Sequence, residues 1–237
     1  MNSRPARRAN AHLVAVVIAI AAVCAPVAAS AMTVLQADLD QLVQTSELVL
    51  HGNIVAVRTV DLRKEGRAIF TEYVLQVREV WKGKDLRAGA QFTWRHLGGT
   101  GADGITFAIP GMPGFIQGEE VVVLLERTSD GHVVTGAPQG KFVVRVDSDG
   151  GRSVSRDLEH VNLVRRDPKT GHLLPVGDHA HGGKRVIAPR QVQGKPMLLR
   201  KPAGRRQALA ELRAEVRAIV VRQAAKSKAA GAKRNPR

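Results

Sequence analysis

Val121–Leu125 is apolar at five consecutive positions, three of them β-branched valines, so both faces of the strand it forms are hydrophobic. That pattern predicts a central strand and sets a mainly β class for the chain. Further segments read as strands: Leu48–Arg58, Ala68–Trp81, Gln91–Leu97, Glu120–Arg127, His132–Thr135 and Lys141–Asp147. In the second, Ile69, Thr71, Tyr73, Leu75 and Val77 fall on one side, with Glu72, Gln76 and Arg78 on the other, as a half-buried strand requires. Turn chemistry agrees. Asp130-Gly131, Asp149-Gly150-Gly151 and Lys82-Gly83-Lys84-Asp85 stand at strand ends, where glycine supplies the positive φ of tight turns. The connection 98–118 differs, with seven glycines and two prolines; its length suits a functional loop, a disordered segment or a lid over a barrel mouth.

Two helices flank these strands. Thr33 with Gln36 matches a capping box, and Leu35, Leu39, Leu42 and Val43 recur at helical spacing, predicting a helix over 34–45. Near the other end, Leu209, Leu212, Val216, Ile219 and Val220 form a second stripe, predicting an amphipathic helix over 205–223. Prolines and glycines without periodicity make 165–204 a linker, and the Ala/Lys/Gly-rich 224–237 reads as a disordered basic tail.

The first 31 residues are read as an export signal. Arg4, Arg7 and Arg8 precede the uncharged run Leu13–Val23, and Ala29-Ser30-Ala31 offers the small residues a signal peptidase accepts, placing the cut between Ala31 and Met32. The apolar run is shorter than the roughly 20 residues of a membrane span, so no transmembrane segment is expected after cleavage. Arg7-Arg8 lacks the apolar continuation of twin-arginine signals, and Val23 stands where a lipidated cysteine needs a small neighbour, so general secretion is favoured. Cys24 is the chain's only cysteine, so cleavage leaves no disulfide, no thiol nucleophile and no cysteine metal site. A periplasmic or extracellular location follows as an expectation.

Charge divides the chain more sharply than hydropathy. Residues 32–181 carry 17 Lys+Arg and 19 Asp+Glu, whereas 182–237 carry 16 and 2. The body is nearly neutral and the C-terminal part strongly basic.

The segments SELVLHGNIVAV (46–57), TEYVLQVREVWKG (71–83), GEEVVVLLER (118–127) and GAPQGKFVV (136–144), in that order, resemble a group of uncharacterised secreted bacterial β-domains. More distantly they are similar to the netrin-like domain of tissue inhibitors of metalloproteinases. That resemblance, over about 46–147, implies a small OB-like β-barrel; with the N-terminal flanking helix the domain spans 32–164, and the C-terminal helix lies beyond the linker. This chain has neither the N-terminal cysteine nor the disulfides of those inhibitors, and a fold does not by itself assign a function.

No catalytic constellation is recognised: the chain has no Gly-x-Ser-x-Gly elbow, no His-Glu-x-x-His and no phosphate loop. Glu119 and Glu120 are adjacent on a strand and are expected to point to opposite faces, which removes them as an acid/base pair. Asp178, His179 and His181 are the only metal candidates, weak ones because they sit among glycines in the expected linker. No cofactor is expected. The basic end offers Arg206, Arg213, Arg217, Lys226, Lys228, Lys233 and Arg234 to an anionic envelope surface. It lacks the aromatics of base stacking, so sequence-specific nucleic acid is not expected. The expected function is an exported, non-enzymatic binding module of the bacterial cell envelope or secretome, its barrel taking a protein or small ligand. The alternatives are a protease-inhibitor-like barrel acting through 98–118 and a hydrolase with a dispersed site.

Overall fold

The computed structural model describes residues 32–156, 158, 161–176 and 206–234. The sites Ala31, Asp178, His179 and His181, residues 1–30 of the expected signal and most of the expected linker lie outside them.

The core is a hairpin of two 14-residue strands, β2 (Leu48–Asp61) and β3 (Ile69–Lys82). Its pairing slips at three places, between Val49 and Leu50, His51 and Gly52, and Ile54 and Ala56. Each slip opposes unequal numbers of residues across the pair and bends the strands. Gly52 is required at this bend, because a Cβ there would run into the Gln76 carbonyl. On one side β3 pairs with β4 (Gln91–Leu97), and on the other β2 pairs with β7 (Glu120–Thr128).

β7 is the central strand anticipated from Val121–Leu125. Its first half pairs with β9 (Lys141–Val146) and its second with β8 (Gly131–Val134). β9 continues to β10 (Arg152–Ser155), and β10 to the two-residue β13 (Gln207–Ala208). The protein is thus mainly β with two helices. The eight-stranded sheet runs β13-β10-β9-β7-β2-β3-β4 with β8 on β7, and no pairing among the described residues closes it into a barrel. The β4 edge approaches the side strand β8, where Phe92 meets His132 edge-on at 5.2 Å.

The sheet has a core on each face, which is why Val121–Leu125 has no polar position. Leu48, Leu50, Ile54, Tyr73, Leu75, Val77, Trp94, Val121, Val123, Leu125 and Val134 pack inside the bend, joined by Phe115 from the 98–118 connection. Val49, Trp81, Val122, Leu124, Phe142, Val144 and Val154 form the opposite face, covered by α1 (Leu39–Thr45) and α2 (Leu209–Arg234). α2 uses Leu209, Leu212, Val216 and Ile219 for this, the stripe read from the sequence.

The edges of the sequence reading are corrected. Residues 32–35 form β1 rather than a helical turn, pairing parallel with β11 (Val161–Arg166), which pairs in turn with β12 (Leu173–Pro175). The capping box belongs to Asp38 and Gln41, five residues beyond the expected Thr33 and Gln36. Strand β12 lies inside the stretch expected to be linker. Helix α2 continues past Gln223 to Arg234, because alanine and lysine are strong helix formers even where nothing packs against them. The 98–118 connection holds a short hairpin, β5 (Gly99–Thr100) with β6 (Thr106–Phe107), before Phe115 anchors it to the inner core.

Candidate ligand site

The segments that carry the resemblance supply fasteners. Lys82 reaches the end of α1 and donates to the Val43 carbonyl at 2.5 Å and the Ser46 carbonyl at 2.6 Å, closing two acceptors left open at the helix terminus. Burial pushes the Lys82 ammonium below its usual pKa. Gln139 is 1 % exposed and fully used: its Oε1 accepts from the Ala37 amide at 2.9 Å, and its Nε2 donates to the Leu35 and Gly136 carbonyls at 3.0 and 3.3 Å. Gly136 stands at φ +64, where a Cβ would also press on Leu42. Gln139 therefore ties the chain between β1 and α1 to the sheet.

Glu119 and Glu120 separate to opposite faces, as their adjacency requires. Glu119 meets Lys141 at 2.8 Å on the inner face, where Lys141 also lies 4.5 Å over the Phe115 ring and donates to the Gly114 carbonyl at 2.6 Å. Beside them Tyr73, Trp94, His96 and Phe115 form an aromatic nest with ring separations of 4.8–6.0 Å. Burial brings the His96 imidazole down to about 4, with Lys141 acting the same way against a hydrogen bond to the Pro113 carbonyl. The ring is neutral at pH 7, so its Nδ1–H donates to Pro113.

Glu120 turns to the helical face and accepts from His51 at 2.8 Å, with Arg152 and Arg78 at 3.5 and 3.9 Å. His51 also faces Glu79 at 3.6 Å, and Glu79 pairs with Arg213 of α2 at 2.9 Å. This cluster fixes α2 to the sheet through charge as well as through its apolar stripe. Arg213, expected to face an anionic surface, is therefore committed to the fold, and Arg206 approaches Asp147 at 3.5 Å. Arg217, Lys226 and Lys228 remain exposed on α2; Lys233 and Arg234 belong to its last turn. Met32 begins β1.

A cavity of about 530 Å³ forms where residues 36–37 and the start of α2 meet β9 and β10. Pairing of β13 with β10 delivers the start of α2 to one wall, and β1 with β11 provides the other. Phe142, Val154, Leu158 and Leu163 give it an apolar lining, and Gln36 and Gln207 contribute amides. Arg156 lies with its guanidinium 4.6 Å from the Phe142 ring centre; burial lowers its pKa, opposed by the Glu215 carboxylate. Arg206, Glu211 and Glu215 complete the charged lining, and Gln207 donates to Glu215 at 3.1 Å. Ser155, at the end of β10, is 3 % exposed with no hydrogen-bond partner for its hydroxyl among the described residues.

Sequence reading missed Arg156 and Ser155, because Arg152–Arg156 has a single apolar residue, Val154, and so shows no strand pattern. Glu211 and Glu215 lie off the apolar stripe by which the sequence marks α2, so that stripe does not single them out. Among the described residues no group of three or more His, Asp, Glu or Cys is arranged to hold a metal, and no helix is long and apolar enough to cross a membrane. Comparison with known protein families, with characterised proteins and with solved structures finds no match.

Proposed function

We propose that this chain is an exported, non-enzymatic binding module of the bacterial cell envelope, with the cavity beside α2 as its ligand site. The cavity carries the reading. It lies within the roughly 300–1,000 Å³ range of small-molecule sites and combines an apolar floor with a mostly polar and charged rim. Two of its walls come from Gln36–Ala37 and from the start of α2, held by Gln139 and by the Glu79–Arg213 pair, so the site is preformed by the same contacts that fold the domain. The bent sheet acts as an OB-like scaffold in which the β4 edge approaches β8 at Phe92 and His132. Export rests on the sequence pattern of residues 1–31, whose proposed cut lies just before Met32, the first residue of β1.

Native mass spectrometry of the protein recovered from the periplasm or medium tests this. The mass should begin at Met32, and a small molecule should be retained by the native protein and lost from Leu163→Trp, which fills the cavity from the β11 side. A chain beginning at Met1, or identical spectra for the two proteins under conditions that preserve ligands, would contradict it.

A second reading, a protease-inhibitor-like barrel, draws support from one observation. Ile105 is 58 % and Phe107 46 % exposed on the β5–β6 hairpin, apolar side chains offered at a loop tip. Inhibition assays against a protease panel, with Phe107→Ser as the control, decide it.

A further inference from the structure

We infer that the cavity beside α2 takes a short peptide with both termini free, its carboxylate toward Arg156 and Arg206 and its ammonium toward Glu211 and Glu215. The inference rests on the reading of that cavity as a ligand site. Its lining contains both signs of charge, supplied by different elements. Arg156 follows β10 and Arg206 precedes β13, whereas Glu211 and Glu215 are one turn apart on α2 and share a helix face. A polyanion meets two carboxylates there, and a purely apolar ligand leaves the charged lining, already in contact with Asp147 and Gln207, without any partner from the ligand, so neither matches the walls. A molecule that is neutral overall but charged at both ends matches them.

The space between the charges suits a peptide chain. Phe142, Val154, Leu158 and Leu163 offer contact to apolar side chains. Gln36 and Gln207 each carry an amide donor and acceptor, the pair of functions a peptide backbone presents in return. Gln139, whose amide is consumed by Ala37, Leu35 and Gly136, supplies rigidity rather than recognition. Arg156 is held over Phe142, which aims its planar donor fork in advance of binding.

Isothermal titration of the full chain with the tripeptide Leu-Ala-Leu tests the inference, using the free form and forms blocked by N-acetylation or C-amidation. The free peptide should bind, and either block should weaken it about tenfold, the worth of one charge-assisted contact. In Arg156→Gln, amidation should no longer matter. In the Glu211→Gln, Glu215→Gln double variant, acetylation should no longer matter. Leu163→Trp should abolish binding, and Leu158→Trp serves the same purpose should the first variant fail to fold. Blocked peptides that bind as tightly as the free one, or binding that survives both tryptophan variants, would overturn the inference. If no tripeptide binds but a compound from a panel of small anions and apolar molecules does, and Leu163→Trp removes that binding, the peptide assignment fails and the ligand site stands. If nothing in either set binds, both fail.

Discussion

Lys141 and Glu119 pair at 2.8 Å with side chains only 12 % and 8 % exposed, joining the strand after the Gln139 turn to the strand that follows the 98–118 connection. Removing one member of so enclosed a pair leaves the other charged without a partner, which costs about 3–5 kcal/mol. Lys141→Met is therefore expected to lower unfolding stability by about 3 kcal/mol in denaturant titrations. Adding Glu119→Gln should recover part of the loss, because the stranded carboxylate is then gone. Strictly additive losses would contradict the pairing.

Gln139 is expected to matter beyond its size. Gln139→Ala removes three hydrogen bonds and leaves the Ala37 amide without its acceptor, a loss of about 1–3 kcal/mol for the orphaned buried group. Hydrogen exchange at Ala37 should accelerate while the amides of β7 stay protected. Equal acceleration throughout would mean that the segment between β1 and α1 does not depend on Gln139.

Helix α2 is part of the core rather than an appendage. Leu212 and Val216 are 1 % and 0 % exposed, and Leu212→Ala should cost about 2–5 kcal/mol. For the same reason a truncation at Gly182 should not give a folded body stripped of its basic end. Envelope association is better tested by Arg217→Gln, Lys226→Gln and Lys228→Gln together, which leave the buried stripe untouched. Association with anionic vesicles should weaken in this triple variant and with added salt if these exposed cations make the contact.

The His96 imidazole sets a pH dependence. Its folded-state value of about 4 lies below the ordinary 6.5, so the folded protein binds fewer protons than the unfolded chain between these values. Stability is complete above pH 6.5 and falls as pH drops toward 4, with about 3 kcal/mol lost at most. His96→Phe keeps an aromatic ring among Tyr73, Trp94 and Phe115 and should flatten this part of the stability profile.

Legibility in the sequence followed the locality of the forces. Val121–Leu125 announced a central strand because burial on two faces leaves no polar position. The α2 stripe was equally plain, since Leu209, Leu212, Val216 and Ile219 report their common face through spacing alone. Met32–Leu35 was hidden because its strand state depends on β11, about 130 residues away, while Leu35, Leu39 and Leu42 offered a local helical pattern. The cavity was hidden for the same reason. Arg156, Glu211 and Gln36 are ordinary surface residues until β13 pairs with β10 and Gln139 secures the chain beside β1, and neither contact leaves a periodic mark. Glu119 and Glu120 show the reverse case, where strand geometry alone separated two adjacent carboxylates.

The central claim is that the cavity beside α2 is where this protein binds its ligand. Nitrogen–proton NMR of the full chain, titrated with free Leu-Ala-Leu, locates the contact directly. Shift changes that saturate and cluster at Ser155, Arg156, Leu163 and Gln207 are the predicted result. Changes centred on Ile105 and Phe107, or on Tyr73 and Trp94 of the inner face, would contradict it.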